Sequence, residues 1–151
     1  MRERLDRIGF RVSRTDALKT DIEPDTRSLV KLPVYQLSEE NGKRRLIKEE
    51  VQQIYIPHFE RKDLFSVVIN SDSMSPRFNR KDVIVFSETA HVSDGEFALV
   101  HDANDEYTLA KVSFIDGSVV LSFLNPKYPA VVLNNKNVQK CLRVMMRIEH
   151  F

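Results

Sequence analysis

Apolar positions along this chain fall into short runs rather than long helical stripes. From Leu29 onward, LVKLPVYQL, QIYIP, LFSVVIN, DVIVF, FALVHD, YTLAKVSFI, SVVLSF, AVVL and CLRVMMRI are rich in Val, Ile, Leu, Phe and Tyr. Such residues suit a pleated, half-buried surface. Turn signals separate the runs: Asn41-Gly42, Asp94-Gly95, Asn104-Asp105, Asp116-Gly117 and Asn125-Pro126. Many short strands spaced by about 8–12 residues predict an all-β domain, a sandwich or distorted barrel. Helix signals are scarce after residue 30, and no fixed repeat or low-complexity segment is present.

Residues 1–27 differ. They are dense in charges of both signs, and Leu5, Ile8 and Val12 supply only a thin apolar stripe. A short helix over residues 2–8, ended by Gly9, competes with a linker or solvated arm, and the charge density favours the arm. The chain therefore divides into an arm or interdomain linker, 1–27, and a folded domain, 28–151.

Length and composition set bounds. A chain of 151 residues can bury a core without staples. A net charge of +1 gives no global electrostatic case for nucleic acid or a membrane surface. The one cysteine, Cys141, excludes an internal disulfide and fits a reducing compartment. It lies in an apolar run and reads as a small buried hydrophobe. No run approaches the roughly 20 apolar residues of a membrane span, and the N-terminus lacks the apolar core of a signal peptide. These features predict a cytoplasmic protein with no membrane partner.

Little of the usual site chemistry is present. His58, His91, His101 and His150 form no pair at metal-ligand spacing, so no metal is expected. No phosphate-cradling glycine motif occurs, and no cofactor is implied. A Ser-His-Asp triad is open on spacing alone, although no GxSxG elbow is present. One stretch stands out. In NSDSMSPRF, Met74 follows Ser73 within a polar turn, where a flexible apolar side chain is unexpected. A serine hydroxyl needs a base before it attacks. In EYTLAKVSFID, Lys111 shares a strand face with Leu109 and Ser113, and its neighbours Ala110 and Val112 are apolar. Two fates compete for such a lysine. It snorkels from an edge strand into water, or it is buried beside the serine, where desolvation favours the neutral amine.

These residues belong to a longer ordered set. Ser73-Met74-Ser75-Pro76 is followed by Asp82-Val83-Ile84-Val85, by Asp94-Gly95-Glu96-Phe97, by Lys111, and then by Asn125-Pro126 and Tyr128-Pro129. The set resembles the LexA-type serine peptidases: the C-terminal domains of LexA, of CI-like phage repressors, and the polymerase subunit UmuD. The resemblance runs from about residue 30 to 151. It implies that family's distorted β-sandwich or barrel with short helical turns. It also implies Ser73 as nucleophile and Lys111 as general base. Met74 would turn inward and pack, and the backbone N–H groups of the turn at Asp72 and Met74 would form the oxyanion hole.

Departures accompany the likeness. Ser71-Asp72 and Lys81-Asp82 stand where the family usually has Gly-Asp, and Val112 follows the lysine where arginine is common. The family cuts itself at Ala-Gly or Cys-Gly, and neither dipeptide occurs in residues 28–72. Gly42 is the one glycine there, so Asn41-Gly42 is the candidate cleavage site; the competing reading is a plain Asn-Gly hairpin. The resemblance implies a homodimer, self-cleavage in response to DNA damage, and a RecA-type filament as co-protease. DNA would be reached only through a helix-turn-helix domain that this chain does not hold. The favoured reading is the regulatory half of a repressor. An accessory subunit of a damage-bypass polymerase and a non-cleaving dimerisation module remain alternatives. A signal peptidase shares the Ser-x-Met logic but needs a membrane anchor.

Overall fold

The apolar runs become strands. The computed structural model describes residues 10–14, 25–40, 43–58 and 63–150. The strands are β1 (Phe10–Arg14), β2 (Asp25–Glu40), β3 (Lys43–His58), β4 (Leu64–Val68), β5 (Val83–Ser87), β6 (Phe97–Asp102), β7 (Tyr107–Ile115), β8 (Ser118–Ser122), β9 (Val131–Asn134) and β10 (Val138–His150). No α-helix occurs among the described residues, so the protein is all-β. The expected helical turns reduce to one 3₁₀ turn there, Asn135–Asn137, capped by the Asn134 side chain.

The strands form one sheet in the order β3-β2-β4-β5-β10-β6-β7-β8-β9, with β1 added on β10. The two ends, β3 and β9, do not pair. The sheet is open, which corrects the barrel alternative, because closure requires its first and last strands to meet. Part of the segment read as an arm, Phe10–Arg14, pairs with the end of β10. The helix considered for residues 2–8 and the Asn41-Gly42 pair both lie outside the described residues.

β10 organises the sheet. Its first half pairs with β6 and its second half with β5, and a register shift between Val144 and Met146 separates the two patterns on the β5 side. β1 takes the length of β10 that β6 leaves free. Burial on both faces follows. Ile84, Phe86, Leu99, Leu109, Leu142 and Val144 pack on one face with Met74 and Phe78. On the other face, Val83, Val85, Met146 and Ile148 pack against β2 and β3, and Ala98, Val100, Ala110 and Val112 pack against Val119 and Leu121 of β8. The apolar character of 141–148 is therefore spent inside the chain. The half-buried Cys141 joins that second face, where desolvation pushes its thiol up.

Turn chemistry follows the sequence signals. Gly95 and Gly117 have positive φ, as do Asp105 and Asp116. Asp63, before β4, ties down the exit of β5. It accepts hydrogen bonds from the Ser87 hydroxyl, from Thr89 Oγ1 at 2.6 Å and from Thr89 N at 3.0 Å. Desolvation acts to raise this carboxyl, but those bonds outweigh it and bring it down to about 2. No helix among the described residues is long and apolar enough to cross a membrane.

Candidate active site

Ser73 sits in the bend between β4 and β5, residues 70–82, and the bend is tied at its base. Ile69 N donates to Asp82 O at 2.8 Å, and Lys81 N donates to Ile69 O at 2.7 Å. Lys81 reaches this geometry with φ +73°, a left-handed conformation that costs a side chain about 1 kcal/mol or more. The glycine expected at this position is absent, yet its backbone conformation is kept. Ser71, at the other departure, is not among the residues with positive φ. Asp82 is buried; its Oδ2 accepts from Asn79 N at 2.9 Å and its Oδ1 from His150 N at 3.1 Å.

The odd methionine has a structural task. Met74 is 1% exposed and packs with Phe78 on the face that holds Leu99 and Leu109. Phe78 N donates to Met74 O at 3.0 Å, which closes the segment into a tight turn. The two side chains plug the bend into the sheet. Ser73, next to that plug, is 4% exposed. Its backbone N–H reaches Ser71 Oγ at 3.2 Å.

A second loop clamps the bend from outside. After β8, Asn125 N donates to Ser73 O at 3.1 Å, and Asn125 Nδ2 donates to Asp72 O at 3.1 Å. Tyr128 Oη donates to Asp72 Oδ1 at 2.6 Å. That bond, foremost, holds the Asp72 carboxyl below the ordinary carboxylate value. Sequence reasoning saw NPKYP as a turn and as the last member of the ordered set; nothing in its spacing showed which carbonyls it would bind.

Lys111 lies in β7, between β6 and β8, opposite Phe97 on one side and Ser122 on the other. Paired residues of an antiparallel ladder point to the same face. Phe97 meets Phe78 edge to face, with ring centroids 5.3 Å apart, and the Arg77 guanidinium lies 4.9 Å from the Phe97 ring centre. Lys111 therefore projects on the face that carries the Ser73 bend. Its partner Ser122 is three residues before the Asn125 clamp. The lysine itself is exposed, and a Cβ placed on Gly95 would lie 4.0 Å from its Cε. Among the described residues no hydrogen bond joins Lys111 to Ser73, and Ser73 Oγ makes none.

The hairpin of β2 and β3 completes the neighbourhood. β2 runs parallel to β4, with Val34 opposite Ser66 and Gln36 opposite Val68. Beyond the ladder, Asn70 Nδ2 donates to Leu37 O at 2.6 Å. Leu37 and Leu46 pack with Met74 and Phe78. The ladder of β2 and β3 continues to Glu40 opposite Lys43, on either side of the Asn41-Gly42 pair. Two neighbouring strands thus send their C-terminal ends the same way. One leads to Ser73 and the other to Asn41, each five residues past the last pair.

The Peptidase S24-like family model matches residues 31–145, a span that holds Ser73, Lys111 and all of the β2–β3 hairpin after residue 30. No curated protein matches the chain.

Proposed function

The chain belongs to the Peptidase S24-like family, and from that premise we propose that it is a Ser73–Lys111 peptidase that cuts its own β2–β3 hairpin between Asn41 and Gly42. The parallel register of β2 on β4 carries this reading. The C-terminal ends of β2 and β4, which lead on in sequence to Asn41 and to Ser73, run the same way, and the Asn70 bond to Leu37 holds β2 beside the bend.

In the proposed reaction the neutral Lys111 amine takes the proton of Ser73 Oγ, which attacks the Asn41 carbonyl carbon. The N–H groups of Ser73 and Met74, rather than those at Asp72 and Met74, receive the oxyanion. Collapse of the adduct breaks the Asn41–Gly42 bond, and the lysine ammonium returns its proton to the departing Gly42 amine. Water then hydrolyses the ester left on Ser73, with Lys111 again as base. In this reading the protein is the regulatory half of a LexA- or CI-like repressor in the cytoplasm. It dimerises, with a RecA-type filament promoting the cut after DNA damage. The dimer contact would not use the apolar residues of 141–148, which are buried within the chain.

A second reading has its own support. Lys111 is exposed and not bonded to Ser73, and the hairpin lacks Ala-Gly and Cys-Gly. These features favour a dimerisation module on the same fold that does not cut. One experiment separates the two. The pure chain is held at alkaline pH and its mass followed, with and without a RecA-type filament. Self-cleavage yields two fragments with their break at 41/42, and none from Ser73→Ala. A wild-type chain that stays whole under both conditions supports the module. Sedimentation of the same sample tests the dimer, which a monomer at micromolar concentration would exclude.

A further inference from the structure

The clamp on the serine bend has a consequence for the oxyanion donors, and it rests on the peptidase reading above. A trans peptide is planar, and its C=O and N–H point in opposite directions. Whatever fixes the carbonyl of Asp72 therefore fixes the N–H of Ser73. Whatever fixes the carbonyl of Ser73 fixes the N–H of Met74. Asn125 reaches both carbonyls, through its side-chain amide and its backbone N–H; it shares Asp72 O with Ser75 N, which donates at 3.1 Å within the bend, and is the one donor to Ser73 O among the described residues. The Met74 N–H, aimed away from that clamp, meets no acceptor among the described residues. The Ser73 N–H has a 3.2 Å bond to Ser71 Oγ, near the long end of the hydrogen-bond range and so readily exchanged for a charged acceptor.

The Asn125 amide has both ends in use. Its Oδ1 accepts from Lys127 N at 3.1 Å while its Nδ2 donates to Asp72 O. That pairing sets which end is oxygen. Tyr128, three residues on, donates to the Asp72 side chain and holds the same residue from a second direction. We infer that Asn125, backed by Tyr128, is the positioning residue that aims the Ser73 and Met74 N–H groups at the oxyanion formed during acyl transfer.

The test uses the full chain and two readouts. The first is the plateau rate of self-cleavage across a pH series. The second is the rate at which a fluorophosphonate probe labels Ser73, followed by mass, which needs an oxyanion hole but no hairpin cut. Asn125→Asp keeps the acceptor for Lys127 N and removes the donor to Asp72 O. We expect both rates to fall by about 10–100-fold, the scale of a misplaced or lost oxyanion donor, with the pH midpoint of cutting unmoved. Tyr128→Phe should lower both by a smaller factor. Thermal unfolding of each variant is measured alongside, and Asn125→Ala serves as a second variant if Asn125→Asp does not fold.

Labelling of Asn125→Asp or Asn125→Ala at the wild-type rate overturns the inference even if the wild type cuts itself. A moved pH midpoint with an unchanged plateau also overturns it, because that signature belongs to the base. A wild-type chain that neither cuts nor labels removes the peptidase reading and this inference with it. Wild-type cutting that persists in Ser73→Ala removes the reading alone, and the labelling arm then decides the clamp.

Discussion

The two halves of the proposed dyad are built in opposite ways. The bend that carries Ser73 is closed at its base by Ile69, Lys81 and Asp82. It is plugged inward by Met74 and Phe78, and clamped outward by Asn125 and Tyr128. Lys111 rises from a regular strand, with its own side chain exposed and no bond to the serine. The contrast separates two requirements of nucleophilic catalysis. In the proposed dyad, the orientation of the serine and of the N–H groups beside it would be set by the fold before any substrate arrives. Neutralising a lysine needs the loss of water around it, and an exposed side chain acquires that only when something covers it. The hairpin pinned beside the bend is the segment placed to do so, so the substrate would complete the site that cuts it.

The largest effect should come from changing the exposed half. Lys111→Arg keeps size and charge but cannot offer a neutral amine, because guanidinium stays protonated. Cutting should fall by about 10²–10⁴-fold, the contribution of a general base, at every pH tested. Because the side chain is exposed, stability should change by less than about 0.5 kcal/mol. A Lys111→Arg chain that cuts at the wild-type rate would remove lysine as the base and reduce the contrast to one between a core loop and a surface strand.

The opposite outcome is expected of Asp82 at the closed end of the bend. Its buried carboxylate accepts from two backbone N–H groups, Asn79 and His150. Asp82→Ala would leave both donors without that partner and should destabilise the protein by about 2–4 kcal/mol. Denaturant unfolding measures this. A loss below about 1 kcal/mol would mean that water or a neighbour replaces the carboxylate, and the bend would be less rigid than its bonds imply.

The nine apolar runs were legible because strand residues announce themselves, and each lies in a strand from β2 to β10. What escaped was decided by partners. LVKLPVYQL marks only the apolar middle of one 16-residue strand and QIYIP only the C-terminal end of another, because a ladder extends through charged residues that a hydrophobic pattern omits. Phe10-Arg11-Val12-Ser13 alternates apolar and polar, but the pattern is short and lies in a charge-dense segment; it pairs where β10 has a free edge. Ala110 and Val112 hinted at burial for Lys111, but neighbours in a strand point to the opposite face. Both are buried against β8 while the lysine is exposed. Residues 141–148 are apolar because β10 is covered on both faces. At the site, the Ser-Met pair and the lysine were visible as residue types at a spacing. The Asn125 clamp was not, since a turn residue does not reveal which carbonyls it will meet.

The smallest effect tests whether the bend is strained where the expected glycine is missing. Lys81 has φ +73° and an exposed side chain, so its conformation is imposed by the bonds of its neighbours rather than by packing. Glycine would relieve about 1 kcal/mol of left-handed strain and lose about 0.5–1 kcal/mol through its freer unfolded chain. Against the wild type the two nearly cancel, so the informative comparison is Lys81→Gly with Lys81→Ala. Alanine keeps the steric cost of a Cβ and removes the long side chain. Relief that exceeds the entropic loss would leave Lys81→Gly the more stable by up to about 1 kcal/mol, a rise of about 2–4 °C in Tm for a domain of this size. Alanine better than glycine by the full entropic difference of about 0.5–1 kcal/mol would place the bend at no conformational cost. The rigidity around Ser73 would then rest on the Asp82, Met74 and Asn125 contacts without any strain for them to hold.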